Sequence, residues 1–326
     1  MIIVTGGAGF IGSGIVWKLN QLGEEKIIVV DHLGTTEKWK NLSPLSFSDY
    51  LEKDAFEAKI RTGSANEFGK IDGIVHMGAC SATTEVDASY LARNNFEYSK
   101  LVAQFALKKK ARLVYASSAA TYGDGSNGFK DDEKNLAALR PLNMYGYSKQ
   151  MFDVWCRKKG LLNRFAGVKF FNVYGPNEFH KGDMRSVVLK AFEQIRVAGH
   201  MSLFKSYRSD YADGEQLRDF IYVKDAVDMT LHLLEKRTAS GIFNVGSGKP
   251  NSWNNLARAI FSALRIDPEI RYIEMPEKMR NKYQYYTCAD ISKLRKSGYK
   301  KPITPFADSV VEYIREYLLQ GKRLGE

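Results

Sequence analysis

The chain has 326 residues, 44% hydrophobic and 12% aromatic, and a formal net charge of +11 from 48 basic and 37 acidic side chains. These proportions describe a globule long enough to bury a sizeable core, as one large domain or a large one with a smaller companion. No run approaches the ~18 apolar residues of a membrane span, and the basic residues are scattered, whereas a nucleic-acid groove would cluster them among aromatics.

The first strand begins at Met1 with no basic or cleavable leader, so a cytoplasmic protein is expected. Cys80, Cys156 and Cys288 are odd in number and widely separated, which points to free thiols, with neither disulfide nor metal. The excess positive charge suits phosphates of a cofactor and a nucleotide-linked substrate, although surface solubility alone accounts for it equally well. No membrane or nucleic-acid partner is expected.

In chain order, short β-rich runs at 1–5, 26–31, 73–76, 112–117 and 165–171 alternate with helical patterns at 11–22, 85–109 and 144–159. A further strand fits within 43–53. This alternation predicts an α/β fold, a doubly wound parallel sheet of Rossmann type covering residues 1–172. From 173 the rhythm breaks. A helix over 183–198, a polar insertion over 205–216, a strand at 219–223, a helix over 225–235, a strand over 241–248 and helices near 252–264 and 305–319 follow. Residues 173–326 are therefore expected to form a smaller substrate lobe, with some chain crossing back and the substrate in the cleft between.

Between the first strand and first helix, Gly6, Gly9 and Gly12 give G-x-x-G-x-x-G. Glycines there let the chain turn tightly and a pyrophosphate approach the backbone, at a helix N-terminus that offers free N–H groups. Asp31 ends the second strand about twenty residues on, where a carboxylate bonds the adenosine ribose and favours NAD. Lys38 and Lys40 lie in the loop just beyond, where an ammonium could neutralise a 2′-phosphate and favour NADP. Lys53, after the third strand, could reach the adenine end. Taken singly, each of these lysines is more often a solvated loop charge than a phosphate contact.

Further along, Ser118 closes an apolar run, and Tyr145 and Lys149 stand four residues apart in PLNMYGYSK at 141–149. On a helix that spacing shares one face, so the ammonium would lower the phenol's pKa and make it a base. Ser118 would orient the reacting oxygen and Lys149 would hold the nicotinamide ribose. Such a pair alone is commonplace on solvated helices; its place after the glycine turn, the acidic residue and the serine is what gives it weight.

The stretches MIIVTGGAGFIGS at 1–13, MGACSATTE at 77–85, YASSAATYG at 115–123, PLNMYGYSK and FFNVYGPNEFHKGDM at 170–184 together resemble the extended short-chain dehydrogenase/reductases. Within them they are similar to the ADP-L-glycero-D-manno-heptose 6-epimerases, over essentially the whole length. The His-Lys-Gly element of the last stretch separates that branch from generic nucleotide-sugar epimerases. The resemblance implies inversion of the sixth sugar carbon of ADP-D-glycero-β-D-manno-heptose by transient oxidation, supplying heptose to the lipopolysaccharide inner core. It also implies a homo-oligomer, a homopentamer in this family.

It further implies NADP, with NAD as the alternative. Phe10, Ile11, Asp31, His32, Lys38, Lys53, Met77, Gly78, Ala79, Cys80, Ser81, Asn94, Tyr145, Lys149 and Val173 would lie at the cofactor. Asn172, Lys181, Asp183, Lys190, Phe204, Arg218 and Tyr283 would join Ser118 around the substrate, with Lys181 as a second acid/base beside Tyr145. Two features depart from the relatives: His32 replaces a common asparagine, and the 205–216 stretch is longer than in the enterobacterial form. Rival readings are a 4,6-dehydratase, which needs an Asp-Glu pair where this chain has Ala119-Ala120, a UDP-hexose 4-epimerase, and a dinucleotide-binding protein without catalysis.

Overall fold

The computed structural model describes residues 1–280 and 283–326. Its elements in order are β1 (Ile2–Thr5), α1 (Phe10–Gln21), β2 (Ile27–Asp31), β3 (Asp49–Glu52), α2 (Lys53–Thr62), β4 (Gly73–His76), α3 (Ala88–Leu91), α4 (Tyr98–Lys108), β5 (Arg112–Ser118), α5 (Met144–Lys158), β6 (Ala166–Phe170) and β7 (Asn172–Tyr174). Then follow α6 (Val187–Ala198), β8 (Met201–Phe204), β9 (Leu217–Arg218), β10 (Phe220–Tyr222), α7 (Val223–Glu235), β11 (Gly241–Val245), β12 (Asn251–Ser252), α8 (Trp253–Leu264), β13 (Ile270–Ile273), α9 (Glu277–Arg280), α10 (Ser292–Lys296) and α11 (Phe306–Glu312).

Seven strands form one parallel sheet in the order β11-β6-β5-β4-β1-β2-β3. This is the doubly wound α/β arrangement expected from the alternation. The inner strands are buried on both faces because helices cover both: β2 and β6 are buried at every residue. One core joins α1 and α7 to one face of the sheet and continues into α6, α8 and α11, while a second lies on the other face under α4 and α5.

Strand order reverses between β1 and β4, which opens a crevice beyond their carboxyl ends. The chain returns to the sheet through α7 and β11 after leaving it at β6, so β11 completes the sheet from within residues 173–326. The smaller pairs β7–β10, β8–β13 and β9–β12 sit beside the crevice with α6 and α8.

Two helices differ from their periodicity. The helix expected over 85–109 begins at Ala88, capped by Asp87, and carries a π-helical turn at Ala92–Glu97 before α4. The one expected over 183–198 begins at Val187, because Gly182 takes a left-handed φ of 52° and Ser186 then caps the helix by accepting from the Leu189 amide.

Candidate active site

A cleft of about 700 Å³ runs over the carboxyl ends of β1, β4 and β5, bounded on its far side by β7 and the turn before α6. Its floor is the glycine turn. A Cβ on Gly6, whose φ is +67°, would stand 2.6 Å from the Gly78 amide nitrogen, and one on Gly12 would stand 2.0 Å from the Gly6 carbonyl oxygen. Backbone therefore packs on backbone, and Gly6, Gly9, Phe10, Ile11 and Gly12 line the cleft. No side chain caps the start of α1, so its first-turn N–H groups remain for a ligand.

Asp31 sits at the end of β2 with one carboxylate oxygen accepting from the Ala8 amide (2.8 Å) and the other paired with Lys38 Nζ (2.7 Å). Lys38 thus offsets the charge that would repel a 2′-phosphate. Met77, Gly78, Ala79, Cys80, Ser81, Val173 and Lys38 all line the cleft. His32, Lys53 and Asn94 do not: the His32 ring meets Glu52 at 3.2 Å on the surface, and Lys53 Nζ donates to Asn94 Oδ1 at 2.7 Å.

Asn95, which spacing did not single out, is fully buried. It accepts from the Cys80 amide (2.9 Å) and donates to the Cys80 carbonyl (2.9 Å) and to Ser148 Oγ (3.0 Å), joining the loop after β4 to α5. Its signal is the π turn that carries it, a distortion that recurs at functional sites.

Ser118 ends β5, and Asn143 caps α5, whose first two turns bring Tyr145 and Lys149 into the same cleft. The ammonium was expected to lower the phenol's pKa. Here desolvation raises it, and the neighbouring Ser118 hydroxyl is the group that pulls it back down. Burial bears on Lys149 as well, lowering its pKa to about 8 against the opposing pull of Asp153 and Cys80.

Lys181 lies on the short helical turn Phe179–Met184, with Nζ 5.1 Å from the centre of the Phe10 ring and inside the cleft. Burial lowers its pKa, the Glu178 carboxylate opposes this and Lys190 reinforces it. Among the other expected substrate residues, Asn172 lines the cleft and donates to the Asp219 carbonyl at 3.0 Å. Asp183 and Lys190 are exposed and bonded to each other, Lys190 Nζ donating to the Asp183 carbonyl. Phe204, Arg218 and Tyr283 form a separate cluster. The Arg218 guanidinium lies 5.6 Å from the Trp253 ring and 5.3 Å from the Tyr283 ring, and Phe204 meets Tyr283 edge-on. Trp253 joins the two: it lines the cleft and donates to the Tyr283 hydroxyl at 2.9 Å.

Trp253, which no motif singled out, and His180, marked only as part of the His-Lys-Gly element, both line the cleft. His180 adjoins Lys181 and burial holds its imidazole neutral, with a pKa near 4. Trp253 comes from a distant helix start and carries no local signal. Among the described residues no group of three or more His, Cys, Asp or Glu could hold a metal ion, and no helix is long and apolar enough to cross a membrane.

A family model described as the NAD dependent epimerase/dehydratase family matches residues 2–246. A protein of Nitratidesulfovibrio vulgaris strain DP4 named ADP-L-glycero-D-manno-heptose-6-epimerase is 54% identical over 98% of both chains. One of the same name from Fusobacterium nucleatum subsp. nucleatum is 45% identical over 98% of both. The crystal structure of the Helicobacter pylori ADP-L-glycero-D-manno-heptose-6-epimerase superposes with a TM-score of 0.82 at 26% identity, covering 97% of this chain and 95% of that one.

Proposed function

This chain belongs to the NAD dependent epimerase/dehydratase family, and within it to the ADP-L-glycero-D-manno-heptose-6-epimerases, and we propose that it inverts the sixth sugar carbon of ADP-D-glycero-β-D-manno-heptose using NADP. It is an isomerase with a nicotinamide dinucleotide as cofactor. The observation that carries the finer reading is the presence of Tyr145 and Lys181, two proton-transfer groups from different elements, in the one cleft that holds the glycine cradle.

The cradle suits a dinucleotide because glycine Cα atoms and an uncapped helix start leave room and N–H donors for a pyrophosphate. When bound, the nicotinamide supplies a reversible acceptor for the hydride of the sixth carbon. Inversion then requires the planar carbonyl to present its other face before the hydride returns. One protein group cannot serve the hydroxyl in both poses, hence the two. In one pose one of Tyr145 and Lys181 takes the hydroxyl proton as the hydride leaves, and in the other pose its counterpart gives a proton to the oxygen as the hydride returns. Ser118 hydrogen-bonds the oxygen as it changes charge, and Lys149 would hold the nicotinamide ribose.

The Arg218–Trp253–Tyr283 cluster offers aromatic faces and a cation for the nucleotide end of the substrate. The pairing of Lys38 with Asp31 supports NADP over NAD, since the ammonium stands ready beside the ribose-facing carboxylate. In the same reading the enzyme works in the cytoplasm as a homo-oligomer, a pentamer, and provides heptose for the lipopolysaccharide inner core. Mass spectrometry of the cofactor that co-purifies, followed by incubation with ADP-D-glycero-β-D-manno-heptose and separation of the epimers, tests it. NADP and a mixture of both epimers are expected; NAD overturns the cofactor assignment, and unchanged substrate overturns the reaction.

A further inference from the structure

Beneath the cleft lies an ion pair that no step above uses. Asp153 and Lys169 are each 0% exposed, with Lys169 Nζ 2.8 Å from Asp153 Oδ2. Asp153 belongs to α5, one turn beyond Lys149, and Lys169 belongs to β6. The carboxylate also accepts from Ser117 Oγ at 2.7 Å and from the Tyr115 hydroxyl at 3.1 Å, both on β5. Lys169 donates onward to Thr121 Oγ1 at 2.5 Å, and Thr121 Oγ1 donates to the Ser118 carbonyl at 2.8 Å.

Two buried charges are a costly way to hold a fold, because desolvation offsets much of their attraction and a well-packed apolar pair of the same size does as well. These two have a more specific position. Asp153 ties the helix that carries Tyr145 and Lys149 to β5 and, through Lys169, to β6, and Lys169 reaches on to the turn that follows Ser118. Resting on the site reading above, we propose that Asp153 is a positioning residue for epimerisation: with Lys169 it fixes α5 against the end of β5 and sets a carboxylate one turn from Lys149.

The electrostatics agree in sign. Lys149 is faced by Asp153 from its own helix, by Cys80 from the loop after β4 and by His76 from β4. Burial keeps His76 neutral, with a pKa of about 3, and Lys149 itself adds to that depression. Desolvation favours loss of the Lys149 proton, and Asp153 is the foremost group favouring its retention. Removing that negative charge therefore makes the ammonium lose its proton at lower pH.

The test is the pH profile of kcat for Asp153→Asn, with melting curves and KM for the nucleotide sugar measured alongside. Asparagine removes the charge and keeps one acceptor oxygen, its NH₂ replacing the oxygen that accepts from either Tyr115 or Ser117. A kcat lower by between about 10- and 100-fold is expected, with KM within about three-fold and the alkaline limb displaced downward by about one pH unit. Asp153→Glu, which restores the charge, should return the limb. Breaking one side of a buried pair can unfold a protein, whereas neutralising both is tolerated; should Asp153→Asn not fold, Asp153→Asn/Lys169→Met must show the same displacement. A limb that stays in place overturns the proposal whether or not the rate falls, since a merely structural residue would lower the rate without moving it. Lys149→Met separates this from the site reading. If it too keeps the wild-type limb, both fall; if it loses the limb while Asp153→Asn keeps it, only the role of Asp153 falls.

Discussion

Tyr145 and Lys181 reach the same cleft in different electrostatic settings. Tyr145 is desolvated at the foot of α5, so its phenol holds its proton more firmly than in water, with Ser118 opposing that trend. Lys181 is desolvated on a turn, so its ammonium gives up a proton more readily than usual. The two shifts run in opposite senses, so the phenol is the more reluctant and the ammonium the readier of the two to release a proton. Tyr145→Phe and Lys181→Met should each lower kcat by ~100-fold or more, with cofactor binding and KM largely kept, as steady-state kinetics and dinucleotide titration would record. Retention of kcat with a raised KM in Lys181→Met would make that lysine a binding contact only. The i to i+4 spacing placed Tyr145 and Lys149 on one helix face, as found, but a sequence shows nothing of desolvation. The expected lowering of the phenol by the ammonium failed for that reason.

The glycine turn, β5 and α5 were legible because each is specified locally, by an apolar run, a turn residue or a helical period. Gly12 makes the point at its strictest. A methyl group there would meet the Gly6 carbonyl carbon and oxygen, so Gly12→Ala must push α1 away from the turn that cradles the dinucleotide. A loss of about 1–3 kcal/mol of stability and weakened cofactor binding are expected by denaturant unfolding and dinucleotide titration; wild-type values for both would mean that the turn relaxes freely. Other elements were silent because their partners are remote. β8 pairs with β13, nearly seventy residues away. α2 buries only Phe56 and carries charge elsewhere, so its apolar signal is too thin to read. Trp253 likewise enters the cleft, and Asn95 reaches Cys80 and Ser148 behind it, only through topology.

Across the whole molecule, the turn that bears Lys181 is held by distant parts of the chain. Asn177, fully buried with φ +79°, donates from Nδ2 to Ser13 Oγ of α1 at 2.9 Å and accepts at Oδ1 from the Leu324 amide at 2.9 Å. Its carbonyl accepts from Asn41 Nδ2, which also meets the His180 ring. Glu178, equally buried, accepts from the Tyr313 hydroxyl and from Ser186 Oγ at the start of α6. One short turn thus gathers α1, the residues after β2, α6 and the C-terminal segment. Asn177→Ala would lose both side-chain bonds and strain a left-handed residue, for an expected cost of about 2–4 kcal/mol and a fall in kcat through a displaced Lys181. An unchanged melting temperature would contradict that role.

The proposed reaction oxidises and re-reduces one sugar carbon within a single cleft. Epimerisation of ADP-D-glycero-β-D-manno-heptose in D₂O, followed by NMR at the sixth carbon, tests that claim most directly. Interconversion of the epimers with hydrogen retained at that carbon is expected, since the hydride never exchanges with solvent. Deuterium at the sixth carbon of the product would mean inversion by proton removal and would contradict the account.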